Sequence, residues 1–97
     1  MATYILLANW TDQGIRSVKD TVKRAKAFRE VAQGMGITVG TMKWTLGAYD
    51  LVISVDCPDD ETATRLGLAL GAQGNVRTST LRAFGEDEIE RIVAGLK

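Results

Sequence analysis

The sequence contains no histidine. That absence removes the Ser-His and Cys-His nucleophile pairs, a histidine-ligated haem and nearly every zinc site. Its one cysteine, Cys57, cannot close an intramolecular disulfide and fits a reducing cytoplasm. Net charge is absent as well, because 12 Lys and Arg balance 12 Asp and Glu. A dedicated duplex-DNA binder needs a basic excess to displace counterions, so that class is disfavoured. No apolar run is long enough to span a membrane, and the opening MATYILLANW carries no basic leader. The expected location is the cytoplasm, with no membrane partner. Phosphate-cradling glycine motifs of the GxGxxG type are missing too.

What is present suits one globular domain over residues 1–97. Hydrophobic residues make up 45% and charged residues 25%, which excludes a disordered chain. Charge is balanced overall but divided along the chain. Residues 1–48 carry seven Lys and Arg against three Asp and Glu, and residues 49–97 carry five against nine. The basic excess gathers in Arg16, Lys19, Lys23, Arg24, Lys26 and Arg29. The acidic excess gathers in Asp56, Asp59, Asp60 and Glu61, and again in Glu86, Asp87, Glu88 and Glu90. Solvated helix faces account for this pattern, and so does contact between opposite patches of neighbouring subunits.

Periodicity gives the elements. Thr3 to Asn9 reads as a strand apolar on both sides, hence central. After a turn at Thr11–Gly14, Ser17 and Asp20 form a plausible capping pair for a helix. Its stripe is Val18, Val22, Ala25, Phe28, Ala32 and Met35. Ile37 to Leu46 is a second strand whose apolar residues change phase, which requires a bulge near Gly40 and Thr41. Gly47-Ala48 reads as a tight hairpin into a third strand, Tyr49 to Asp56. Pro58, with Asp59 or Asp60 as cap, opens a second helix that packs through Ala63, Leu66, Gly67 and Leu70 and is ended by Gly71 and Gly74. Asn75 to Phe84 is the fourth strand. Glu86 to Leu96 is a last helix, with Ile89, Ile92, Val93 and Leu96 expected inward.

The order β-α-β-β-α-β plus a C-terminal helix predicts an α+β, ferredoxin-like sandwich. Right-handed crossovers place both main helices on one sheet face and strands one and three at its centre. The other face, including Val52 and Ser54, is then uncovered. Pairing of two such faces makes a dimeric α/β barrel, so the expected partner is a second copy of the chain.

Several residue groups are candidates for chemistry. Tyr49 and Asp50 are adjacent and point to opposite faces of a regular strand. Asp50 serves either as a general base or ligand anchor, or as an acceptor for nearby backbone N–H groups. Asn9 and Trp10 end the first strand and, with Trp44, would line an aromatic-walled pocket. Their structural alternative is strand-end packing, with Asn9 bonding the loop. Arg77 and Arg82 lie an odd number of residues apart, so they face opposite ways. One of them would hold a carboxylate by a forked pair of bonds, or both make interface ion pairs. The acidic cluster at Asp56–Glu61 matches no calcium loop, and no metal or cofactor is expected. The third strand, YDLVISVD, lacks the exposed aromatics of an RNA-recognition sheet, so no nucleic-acid partner is expected.

The segment LGAYDLVISVDCPDD (Leu46 to Asp60) resembles the motif of the GYD-domain family, with Ala48 between the Gly and the Tyr-Asp pair. The TDQGI turn at Thr11 to Ile15 and GNVRTSTLRAF at Gly74 to Phe84 are similar as well, in the same order. The resemblance spans almost the whole chain and implies a ferredoxin-like fold related to dimeric α/β barrels. It implies no known activity. The expected function is therefore a small homo-oligomeric domain that binds a small molecule. By analogy of fold alone, the alternative is a cofactor-free monooxygenase or isomerase acting on an apolar molecule. Asp50, Tyr49 and Asn9 would then be its catalytic candidates.

Overall fold

Strand β1 (Ala2–Trp10) alternates Tyr4, Leu6 and Ala8 with Thr3, Ile5 and Leu7, so neither side suits water. In the computed structural model, which describes residues 1–97, it lies inside a four-stranded sheet. Its neighbours are β3 (Leu51–Cys57) and β4 (Val76–Ala83), and β2 (Thr38–Trp44) completes the order β2-β3-β1-β4. All three pairings are antiparallel. The architecture is the ferredoxin-like α+β sandwich that the sequence order predicted.

Two long helices, α2 (Thr21–Gly34) and α3 (Asp60–Gln73), cover one face. The core lies between them and that face. Tyr4, Leu6, Met42, Ile53, Val55 and Cys57 meet Ala25, Phe28 and Ala32 from α2 and Ala63 and Leu66 from α3. Asp59 caps α3: one carboxylate oxygen accepts from the Thr62 N–H at 2.8 Å and from its hydroxyl at 2.7 Å. These two bonds hold the Asp59 carboxyl below its usual range. Gly74 ends the helix at φ +84°, a left-handed conformation that favours glycine.

The expected bulge is present. Val39 pairs with Val55 and Met42 with Ile53, so β2 carries one residue more than β3 between those pairs. The bulge keeps Val39 and Met42 on the same, helix-covered side. Ser54 clamps it by accepting from the Thr41 N–H at 2.9 Å.

Elsewhere the structure corrects the expectations. The Thr11–Gly14 turn is the start of a short helix, α1 (Asp12–Arg16), capped by the Thr11 hydroxyl. Ser17 and Asp20 make no side-chain cap; a single 3₁₀ turn, Val18–Asp20, leads into α2. Val22 is exposed rather than in the stripe. Strands β2 and β3 stop short of the tight hairpin, leaving a loop from Thr45 to Asp50 with Leu46 fully exposed. Tyr49 and Asp50 therefore sit in that loop and not on a strand. Gly71 lies inside α3 and does not end it. The last helix, α4 (Glu86–Ala94), buries nothing: Ile89, Ile92, Val93 and Leu96 are all exposed. Amphipathic spacing identified the helix, but a helix finds its burial only where the fold offers a surface.

Two glycines test the packing in opposite directions. Gly14 is buried against the start of β4, where any Cβ would run into the Asn75 carbonyl. Gly71 has open space around its Cα. Gly14→Ala should lower the thermal midpoint, whereas Gly71→Ala should raise stability by about 0.5–1 kcal/mol through its helix preference. Thermal denaturation followed by circular dichroism checks both.

Candidate functional site

The end of β1 brings three parts of the chain together. Thr11 donates from its N–H to the Asn75 carbonyl at 3.1 Å and from its hydroxyl to the Gly74 carbonyl. The loop after α3 is thereby fastened over the end of β1. Arg24 fastens the other side, reaching back from α2 to the Ser17 carbonyl and hydroxyl at 2.9 and 3.0 Å and to the Gly14 carbonyl at 3.3 Å. Beneath these ties the helices and sheet do not close completely. A cavity of about 70 Å³ remains, walled by Trp10, Phe28, Met42, Leu51, Leu70 and other apolar side chains. Thr21, Arg24, Gln73 and Asn75 supply its polar groups. Such a volume is about two water molecules' share of the liquid, and an apolar lining favours a small apolar group over water.

The sequence-predicted residues fall in different places. Trp10 lines the cavity. Trp44 does not line it, but its indole N–H donates to the Thr21 hydroxyl at 2.9 Å and so supports the β2 side of the wall. Asn9 and Arg77 are directly paired across β1 and β4, at register positions on the sheet face opposite the cavity, but Arg77, on the edge strand, also lines the groove between α3 and β4 together with Arg82. Arg82 lies on the helix side at the far end of β4. Its guanidinium donates to the Thr3 carbonyl at 3.3 Å and the Ala83 carbonyl, and it pairs with Glu88 at 3.1 Å. It also covers the Phe84 and Tyr4 rings at 4.4 and 5.7 Å. Tyr49 is exposed.

Asp50 is a staple. Its N–H donates to the Ala8 carbonyl, and one carboxylate oxygen accepts from the Trp10 N–H, both at 2.9 Å. Its own carbonyl accepts from Thr45 at 2.8 Å. One residue thus ties the loop to β1 and to the end of β2. This is the backbone-bonding role weighed against catalysis, and it orients Trp10 in the cavity wall.

The acidic segment divides its tasks too. Asp56 accepts from the Thr3 hydroxyl at 2.6 Å, Asp59 caps α3, and Asp60 accepts from the buried Tyr4 hydroxyl. That bond to Asp60, with burial behind it, pushes the Tyr4 phenol up to about 12. Burial, with Asp56 and Asp59 nearby, pushes the Cys57 thiol up, against thiolate chemistry. No three acidic or thiol side chains converge as a metal site would require. A broader groove between α3 and β4, about 800 Å³ in volume, is floored by Gly67 and Gly71 and lined by Thr78, Thr80 and Arg82. Thr21, Gln73 and Asn75 carry no signal in the sequence, because their role depends on which loops meet. Phe28, Met42 and Leu51 were legible only as core.

The family model of the GYD domain matches residues 4–93, all but the first three and last four positions. No curated protein and no solved structure matches the chain. No helix is long and apolar enough to cross a membrane.

Two outcomes follow from the hydrogen bonds. Asp50→Asn keeps an acceptor for the Trp10 N–H and should retain most of the stability, whereas Asp50→Ala should lower the thermal midpoint and shift the tryptophan emission. For Tyr4, the folded chain holds the phenolic proton beyond its ordinary pKa of 10.0. The stabilisation is present below pH 10 and is lost as pH rises towards about 12. Absorbance titration of the folded protein should show a late phenolate phase that Tyr4→Phe removes.

Proposed function

The chain belongs to the GYD-domain family, and from that premise we propose that it works as a homodimeric α/β barrel that binds a small, largely apolar molecule. The cavity beside Trp10 carries this reading. It takes the apolar end of a ligand, and Gln73 and Asn75 meet the ligand's polar head. Drug-sized sites usually run to several hundred Å³, so only one ring or short chain enters. The lining supports binding over acid–base catalysis. It contains no carboxylate, thiol, phenol or lysine, and its only titratable side chain, Arg24, is engaged by the Ser17 and Gly14 carbonyls. Asp50, the candidate general base, lies outside the lining.

The uncovered sheet face supports assembly. Register places Ile5, Leu7, Val52 and Leu81 together on it, bordered by Thr3, Ser54 and Ser79. The chain exposes 6562 Å², about 1,100 Å² more than expected for a monomer of its mass. A stable interface takes about 800 Å² from each partner. Its radius of gyration, 14.6 Å, likewise exceeds the roughly 12.5 Å of a compact chain this long. Packing two such faces with strands aligned covers the apolar set and leaves the helices outside.

Two variants test the parts separately. Leu7→Asp places a charge at the centre of the uncovered face and should turn the dimer into a monomer in sedimentation velocity. Unchanged sedimentation would reject the sheet-face interface. Ala25→Leu fills the cavity. With Trp44→Phe as background, Trp10 is the remaining indole, and its emission should respond to short aliphatic or aryl alcohols. Ala25→Leu should abolish that response, and a response that survives would place binding elsewhere.

A further inference from the structure

Helix α4 leaves its apolar stripe uncovered within the chain. Ile89, Ile92 and Val93 form one stripe at helical spacing, continued by Leu96 beyond the last turn. These four remain 45%, 49%, 50% and 76% exposed, and α4 makes no extensive packing contact with another element. Only its first turn is tied down, where Glu88 accepts from the Gly85 N–H and pairs with Arg82.

The charges beside the stripe select the occupant. At 100° per residue, Glu86 and Glu90 border it. A helix built for an anionic lipid surface carries Lys and Arg there instead. The complementary surface lies on α2. Arg24 faces α3, sharing the cavity with Leu70 and Gln73. The opposite flank of α2 carries Val22, Lys26 and Arg29. Val22, 55% exposed, is an apolar residue beside two cations, offering α4 an apolar contact and opposing it in charge.

Within one chain these surfaces are far apart. Helix α4 follows β4 at one sheet edge, and α2 packs on β2 at the other. In a face-to-face pair a two-fold axis along the strands sets each β4 edge beside the other copy's β2 edge. The ends agree as well. Ala83 pairs with Thr3, and Thr3 and Thr38 both pair with Asp56, so β4 finishes at the end where β2 begins. That is the end at which α2 hands over to β2, so an α4 running back alongside α2 meets Arg29 first, then Lys26, and then Val22, whose neighbour Thr21 bonds Trp44 at the far end of β2.

We propose that α4 is a reciprocal arm. In the dimer described above, on which this inference rests, α4 of each copy lays its Ile89–Ile92–Val93 stripe against the Val22–Lys26–Arg29 flank of the other copy's α2. Glu86 and Glu90 face Lys26 and Arg29 across the contact. The arm closes the seam between β4 and β2 and accounts for the exposure of both Val22 and α4.

Charge-reversal complementation in the full chain tests the arm by sedimentation velocity. One variant carries Glu86→Lys and Glu90→Lys; the other carries Lys26→Glu and Arg29→Glu. Each alone should dimerise roughly tenfold more weakly than the parent. Mixed, they should form a heterodimer of parental affinity, since one arm contact is then native and the other has both signs reversed. Two damaged folds would not rescue each other. Variants that weaken without rescue in the mixture would overturn the arm. If both variants dimerise like the parent while Leu7→Asp still separates the copies, the arm is wrong and the sheet-face pairing stands. A parent chain that sediments as a monomer overturns both.

Discussion

The structure depends on β1 having no side that tolerates water. Its Tyr4, Leu6 and Ala8 face the helices, and its Ile5 and Leu7 face away. Hydrogen bonds to β3 and β4 on either side fix it at the centre of the sheet. The helices satisfy the first set completely. The second set stays half-buried because the chain has only two long helices and both lie on the same face. This open face, together with the unburied α4, leaves a surface larger than mass alone predicts.

The cavity follows from the same strand. Trp10 ends β1 on the helix side, and the Asp50 carboxylate holds its backbone N–H. Gly14 and Thr11 draw the start of β4 over that end without filling the space between α2 and α3. Under the proposed function, a site made this way binds by shape and apolar contact. The charged groups, including Asp59, Asp60, Arg82 and Glu88, are engaged in capping, in bonding Tyr4 and in tying down α4.

Much of this was legible in the sequence. Alternation marked β1 and β3 as central, and the phase change between Val39 and Met42 required the bulge that Ser54 clamps. The GYD-like segment indicated the family. What escaped was tertiary. Val22 and the α4 stripe have the spacing of buried residues, but spacing cannot say whether the surface they need belongs to the same chain. Tyr49 and Asp50 looked like strand residues because their neighbours alternate. The Asp50 staple, whose bonds reach back to Ala8 and Trp10, is what opens the loop. Asn9 and Trp10 are adjacent and end on opposite sheet faces, so the candidate site at the end of β1 divides in two. Gln73 and Asn75 carry no pattern, since only the joining of α3 to β4 brings them to the cavity mouth.

On this proposal the apolar sheet face is covered by a second copy. A native mass spectrum of the protein purified from its own host tests it most directly. A sheet-face dimer gives a species of twice the 10.5 kDa chain mass, carrying an additional small mass when the cavity is filled. A chain found only at its single mass, without ligand, would contradict it.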